Sequence, residues 1–163
     1  MRHHHSVRRE GLISGGLAAL TVALWFLLVD VINGRPLYTP SVLGQILLLG
    51  APTAVTDKID TVAVGVYTAF HFAAFALFGL IVTKLVHLAV NVPVIRFGIV
   101  MLFIVFEVFF WGFTYLFFEQ TRGLFPRGSI LVANTLAAVV MASYLWHRHP
   151  TLKRALKHEA LGS

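Results

Sequence analysis

The chain has 163 residues, of which 58% are hydrophobic and only 12% charged, and its mean hydropathy is +0.81. A soluble domain of this size cannot hide so much Phe, Leu and Val on one-sided helices, so an ordinary globular protein is excluded. The absence of cysteine excludes disulfides, thiolate metal centres and iron–sulfur clusters. The net charge is +6, all 13 basic residues lie outside the apolar runs, and no folded basic face exists to support a nucleic-acid reading.

Four apolar stretches reach or approach the ~20 residues that a helix needs to cross a ~30 Å hydrocarbon core. They are Leu12–Val29, Thr61–Thr83, Phe97–Phe118 and Ser129–Trp146. None alternates as a barrel strand would. The sequence therefore predicts an all-α integral membrane four-helix bundle, a single transmembrane domain over residues 1–163. Its helices are expected at about 11–32, 61–84, 96–118 and 129–147, between tails at 1–10 and 148–163.

The N-terminal tail carries His3, His4 and His5, read as native surface residues, and a basic start that superficially suggests a signal peptide. Its apolar run is longer than an h-region and lacks a small-residue cleavage pattern, so a retained first helix is expected. That helix opens with Gly11, Gly15 and Ala19, a small-residue step that lets another backbone approach closely. Toward its far end stand Trp25 and Asp30, the latter expected to meet Arg35 or solvent. The turn cluster Asn33-Gly34-Arg35-Pro36 follows.

The segment 40–50 is apolar but too short to cross. Thr39 is expected to cap it, Pro40 to start it, and Gly50 with Pro52 to stop it. It reads as a short interfacial helix in the first outer loop, a packed connector in preference to a lid.

The second crossing has two faces. Gly65, Ala69 and Ala73 form a small stripe for close packing, and Tyr67, His71, Phe75 and Phe78 form an aromatic face roughly opposite. A tight hairpin is expected across Leu85–Ile95, with Asn91 and Pro93 in the turn. In the third crossing Glu107 sits among Phe103, Phe106, Phe109, Phe110 and Trp111, and the connection Gln120–Gly128 leads to the fourth. Asn134, about five residues into the fourth crossing, is expected to hydrogen-bond across to another helix. Beyond it, Thr151–Leu161 alternates basic and apolar residues as an amphipathic surface helix would.

Nine of the 13 basic residues fall on the side of the termini, which by the positive-inside rule is the cytoplasm. On this topology His71 lies about 15 Å from the outer edge and Glu107 about 18 Å, nearly level at mid-bilayer. Either group alone in hydrocarbon costs several kcal/mol, so the two are expected to pair. That pair would either lock two helices in register or handle protons.

A flat macrocycle such as haem or chlorophyll could use His71 as axial ligand on the aromatic face. Bis-histidine haem would have only His87 and His147 at one depth. A di-iron bundle needs several glutamates and Glu-x-x-His pairs, which are missing. No phosphate loop, zinc-protease pair or nucleophile elbow is present, and no catalytic residue is assigned.

The stretch Leu24–Pro40, LWFLLVDVINGRPLYTP, resembles the first-helix exit of a family of small bacterial four-helix inner-membrane proteins, and Tyr67–Gly79 is similar to their second helix. The resemblance implies a multi-pass protein of the bacterial inner membrane and transfers no functional residue. The resulting expectation is a non-enzymatic accessory or structural subunit of a respiratory- or photosynthetic-type complex, with lipid and other membrane subunits as partners. The alternatives are a cofactor-binding protein using His71, and a small proton-coupled carrier or channel using Glu107 and His71.

Overall fold

The computed structural model describes residues 7–50, 58–91, 104 and 127–149. Among them are four helices and no strand: α1 Val7–Ile32, α2 Tyr38–Leu49, α3 Thr61–Asn91 and α4 Arg127–Arg148. Three of these, Val7–Ile32, Thr61–Leu88 and Gly128–Arg148, are long and apolar enough to cross a membrane. The third expected crossing, 96–118 with Glu107, lies outside the described residues.

Two boundaries differ from expectation by more than two residues. α1 starts at Val7, because Arg8, Arg9 and Glu10 are good helix formers and nothing before Gly11 breaks the helix. α3 continues through Leu85 to Asn91, because no Gly or Pro interrupts it and Lys84 is as helix-compatible as its neighbours. The expected hairpin across Leu85–Ile95 is thus helical through Asn91. At 31 residues α3 is about 46 Å long, more than the ~30 Å core, so it must tilt or project beyond the hydrocarbon.

Burial is inverted relative to a water-soluble protein. Ser14 and Thr83 are 0% exposed, while Ile32 is 74% and Val62 67% exposed. Even α2, only 12 residues long, buries Thr39, Ser41 and Gln45 and exposes Leu47, Leu48 and Leu49. Water would penalise such a surface heavily, whereas acyl chains solvate it.

α1 and α3 run antiparallel in backbone contact. A Cβ at Gly11 would stand 2.7 Å from Leu80 Cα, one at Gly15 would strike the Phe75 carbonyl, and one at Gly79 would strike the backbone of Gly11 and Gly15. Ala19, one step further along α1, is fully buried. Lipid supplies no hydrophobic drive between helices, so this proximity and its dispersion contacts hold the pair. Gly65, Ala69 and Ala73 are not part of this contact. They are exposed, and Gly65 has nothing near its Cβ position among the described residues.

α4 lies along α1 through Ala133, Ala137, Met141 and Leu145, a stripe at four-residue spacing that shares one core with Ala18, Val22, Val82 and Val86. The approach of His149, at the end of α4, to Glu10, at the start of α1, makes these helices antiparallel too. α3 and α4 therefore run in the same direction.

α2 is fastened through its first turn by hydrogen bonds to neighbouring elements. Asp30, buried at the end of α1, accepts from the Thr39 backbone N–H (2.7 Å) and from the Thr39 hydroxyl (2.7 Å). Thr39 thus does not cap α2. The helix begins at Tyr38, after Leu37 in a left-handed conformation (φ 66°), and Asp30 satisfies a first-turn N–H in place of a local cap. Arg35 does not reach the Asp30 carboxylate. Its guanidinium lies over the Tyr38 ring at 4.0 Å, while its backbone N–H meets the Asp30 carbonyl. Gly50 ends the helix in a left-handed conformation, returning its N–H to Ile46.

Along its length α2 lies on the start of α3, with Gly44 in backbone contact with Ala63. Ser41 Oγ accepts from the Asp60 N–H at 2.9 Å, and the Asp60 carboxylate caps α3 by accepting from the N–H groups of Val62 and Ala63.

Candidate functional site

Two groups of polar side chains merit a chemical reading, one at mid-span and one at the end of the bundle where α1 begins.

At mid-span, His71 on α3 donates its Nε2–H to the Ala19 carbonyl of α1 at 3.1 Å. A carbonyl can only accept, so this bond fixes the Nε2-protonated tautomer and leaves Nδ1 as the lone-pair nitrogen. The ring is stacked on Tyr67 (5.7 Å between centroids) and tilted against Phe75 (4.7 Å). Phe78 lies further along, against the core shared with α1 and α4. The structure thus brings Tyr67, His71, Phe75 and Phe78 onto the side of α3 that meets α1. A groove of about 170 Å³ opens beside His71, bordered by Val22 and Phe26 of α1, Pro40 of α2 and Tyr67 and Thr68 of α3. It is smaller than the ~300–1,000 Å³ of usual cofactor sites. Glu107, the expected partner of His71, lies outside the described residues.

Asn134 Nδ2 and Trp25 Nε1 are buried and meet no hydrogen-bond acceptor among the described residues. The interhelical bond expected for Asn134 is therefore not seen within that set.

The second group follows from the antiparallel register of α1 and α3. Ser14 Oγ stands 3.4 Å from Thr83 Oγ1, and one turn nearer the helix end Glu10 faces His87. Glu10, 2% exposed, has Oε2 at 3.0 Å from His87 Nε2 and at 3.2 Å from His149 Nε2. The two imidazoles meet edge to face with centroids 4.6 Å apart. One carboxylate thus holds two imidazoles drawn from α3 and from the residue just after α4. Placed in the first turn of α1, that carboxylate also lies at the positive end of the helix dipole. His147 does not join His87. It is exposed and bonds back to the Ser143 carbonyl through Nδ1 (2.7 Å).

With tails expected at 1–10 and 148–163, Glu10 and His149 fall outside the expected helices, and the cluster is missed. A signal was nevertheless present. Glu10 and Ser14, like Thr83 and His87, are four residues apart, so each helix carries a two-rung polar ladder near one end, and antiparallel packing brings the ladders together.

No family model matches the chain, and comparison with curated proteins and with solved structures likewise finds no match.

Proposed function

We propose that this chain is a non-catalytic accessory or structural subunit of a larger complex in a bacterial inner membrane, with both termini cytoplasmic and α2 at the outer interface. The observation that carries this reading is the two-sidedness of α3. One face is in backbone contact with α1, and the other presents the small residues Gly65, Ala69 and Ala73, exposed among the described residues. A lipid-facing surface gains nothing from small residues at four-residue spacing, whereas contact with a further helix, of this chain or of another subunit, does. The polar groups at helix contacts agree with a structural role. Asp30 organises α2, Ser14 meets Thr83, and His71 ties α3 to α1.

The parallel course of α3 and α4 supports a further crossing at 96–118, since two parallel spans in sequence need a return between them. The excess of basic residues on the side of the termini supports the cytoplasmic assignment. Bacterial origin rests on the resemblance of Leu24–Pro40 and Tyr67–Gly79. A haem or chlorophyll at His71 is less well supported, because the imidazole is engaged by Ala19 and packed between Tyr67 and Phe75.

The test is purification of the tagged chain from its native membranes in mild detergent, followed by native gel electrophoresis and mass spectrometry. The expected result is migration in a larger assembly with one or more membrane subunits at fixed stoichiometry. Recovery of the chain alone, or with an absorbing cofactor in stoichiometric amount, would overturn this reading.

A further inference from the structure

We propose that Glu10, His87 and His149 form a binding site for a divalent transition-metal ion of the zinc class, at the end of the bundle where α1 begins and α4 stops. Each residue offers one ligand atom, and the three atoms lie within 4.8 Å of one another. Zinc bonds to histidine nitrogen and carboxylate oxygen at ~2.0–2.2 Å, which places neighbouring ligand atoms of a tetrahedral site ~3.3 Å apart. The Glu10–His87 and Glu10–His149 separations of 3.0 and 3.2 Å are within a few tenths of an ångström of that spacing. The two imidazole nitrogens lie within 4.8 Å of each other, so binding calls for their rings to close on a common ion by side-chain rotation.

The donor set selects the class of ion. Two imidazoles and one carboxylate suit zinc and its neighbours in the first transition row. There is no thiolate to favour copper(I), and too few oxygens for calcium or magnesium. Access and rigidity agree. Glu10 and His149 side chains are almost wholly enclosed, at 3% and 8% exposure, while His87 at 29% gives the ion a route from solvent. With three protein ligands, one position remains for water or a further group.

The ligands come from the first turn of α1, the last turns of α3 and the residue after α4. A bound ion would thus cross-link three elements that lipid does not drive together. Metal affinity would appear as bundle stability through linkage.

The experiment uses the full chain in detergent with His3, His4 and His5 replaced by Ala, so that the N-terminal histidines cannot bind metal. After stripping with chelator, the protein is titrated with cobalt(II) and then zinc(II). The expected result is one equivalent of cobalt with the visible bands of a four- or five-coordinate nitrogen–oxygen site, displaced by zinc. E10Q, H87Q and H149Q should each weaken binding at least about tenfold, while H147Q should leave it unchanged. X-ray absorption on the zinc form of the parent protein should show two imidazoles, a readout independent of whether each variant folds. Failure to bind one equivalent, an imidazole count other than two, or affinity unmoved by all three substitutions would overturn the proposal and leave the cluster as hydrogen bonds only.

Discussion

Asp30 serves a helix to which it does not belong. Buried at the end of α1, it accepts both the N–H and the hydroxyl of Thr39 in the first turn of α2. Asp30→Ala should leave these donors enclosed without an acceptor and destabilise the protein by about 1–3 kcal/mol, read as a lowered unfolding midpoint in detergent. Glycine at 15 and glycine at 16 should behave oppositely. Gly15→Val drives a side chain into the α3 backbone and should cost at least ~1–3 kcal/mol. Gly16 has open space at its Cβ position among the described residues, so Gly16→Ala should stabilise α1 by up to about 1 kcal/mol through helix propensity. Circular dichroism during thermal or SDS unfolding separates the pair. His71→Leu removes a single interhelical hydrogen bond and keeps an apolar side chain, so its effect should be about 1 kcal/mol in the same assay. At this scale the sequence disclosed residue types but not partners. Asp30 was expected to meet Arg35 or solvent, but the turn at 33–37 carries α2 back over the carboxylate instead.

Among the elements, long helices were the most legible feature, because lipid imposes an unbroken apolar run on each crossing. Their ends were less so. Charged residues such as Arg8, Arg9 and Lys84 mark where hydrocarbon stops, but they do not stop a helix, and α1 and α3 run past them. That overrun brings Glu10 and His87 together, so reading the helix ends short concealed the cluster as well. The start of α2 was misplaced for a related reason. The cap is supplied from α1, and no local Ser, Thr or Asp signals it. Because α2 is docked through Gly44 on Ala63, Gly44→Leu should lift it from α3. Amide exchange should then accelerate in α2 and the α3 first turn, while the central turns of α1 and α3 stay protected. Uniform acceleration along all four helices would instead show that α2 is integral to the bundle.

For the molecule as a whole, one inversion organises the rest. Small and polar residues face inward, where helices touch, and large apolar residues face outward. Composition announced that inversion from the start. Which helix touches which was not legible, since small-residue stripes occur on both α1 and α3 and only one face of α3 meets α1. The polar contacts at Asp30, at Ser14 with Thr83, at His71 and at Glu10 all join one helix to another element of the chain. Together they tie α1 to α2, α3 and the end of α4.

The absence of native cysteine makes the orientation of this bundle directly measurable. Single cysteines in place of Gly34 and Lys58 on one side, and of His147 and Ser163 on the other, can be probed in intact cells with a membrane-impermeant maleimide. The two between α1 and α3 should label at once, and the two near the C-terminus only after permeabilisation. Equal labelling at all four positions, or release of the chain from membranes by alkaline carbonate, would contradict a bundle that lives in lipid.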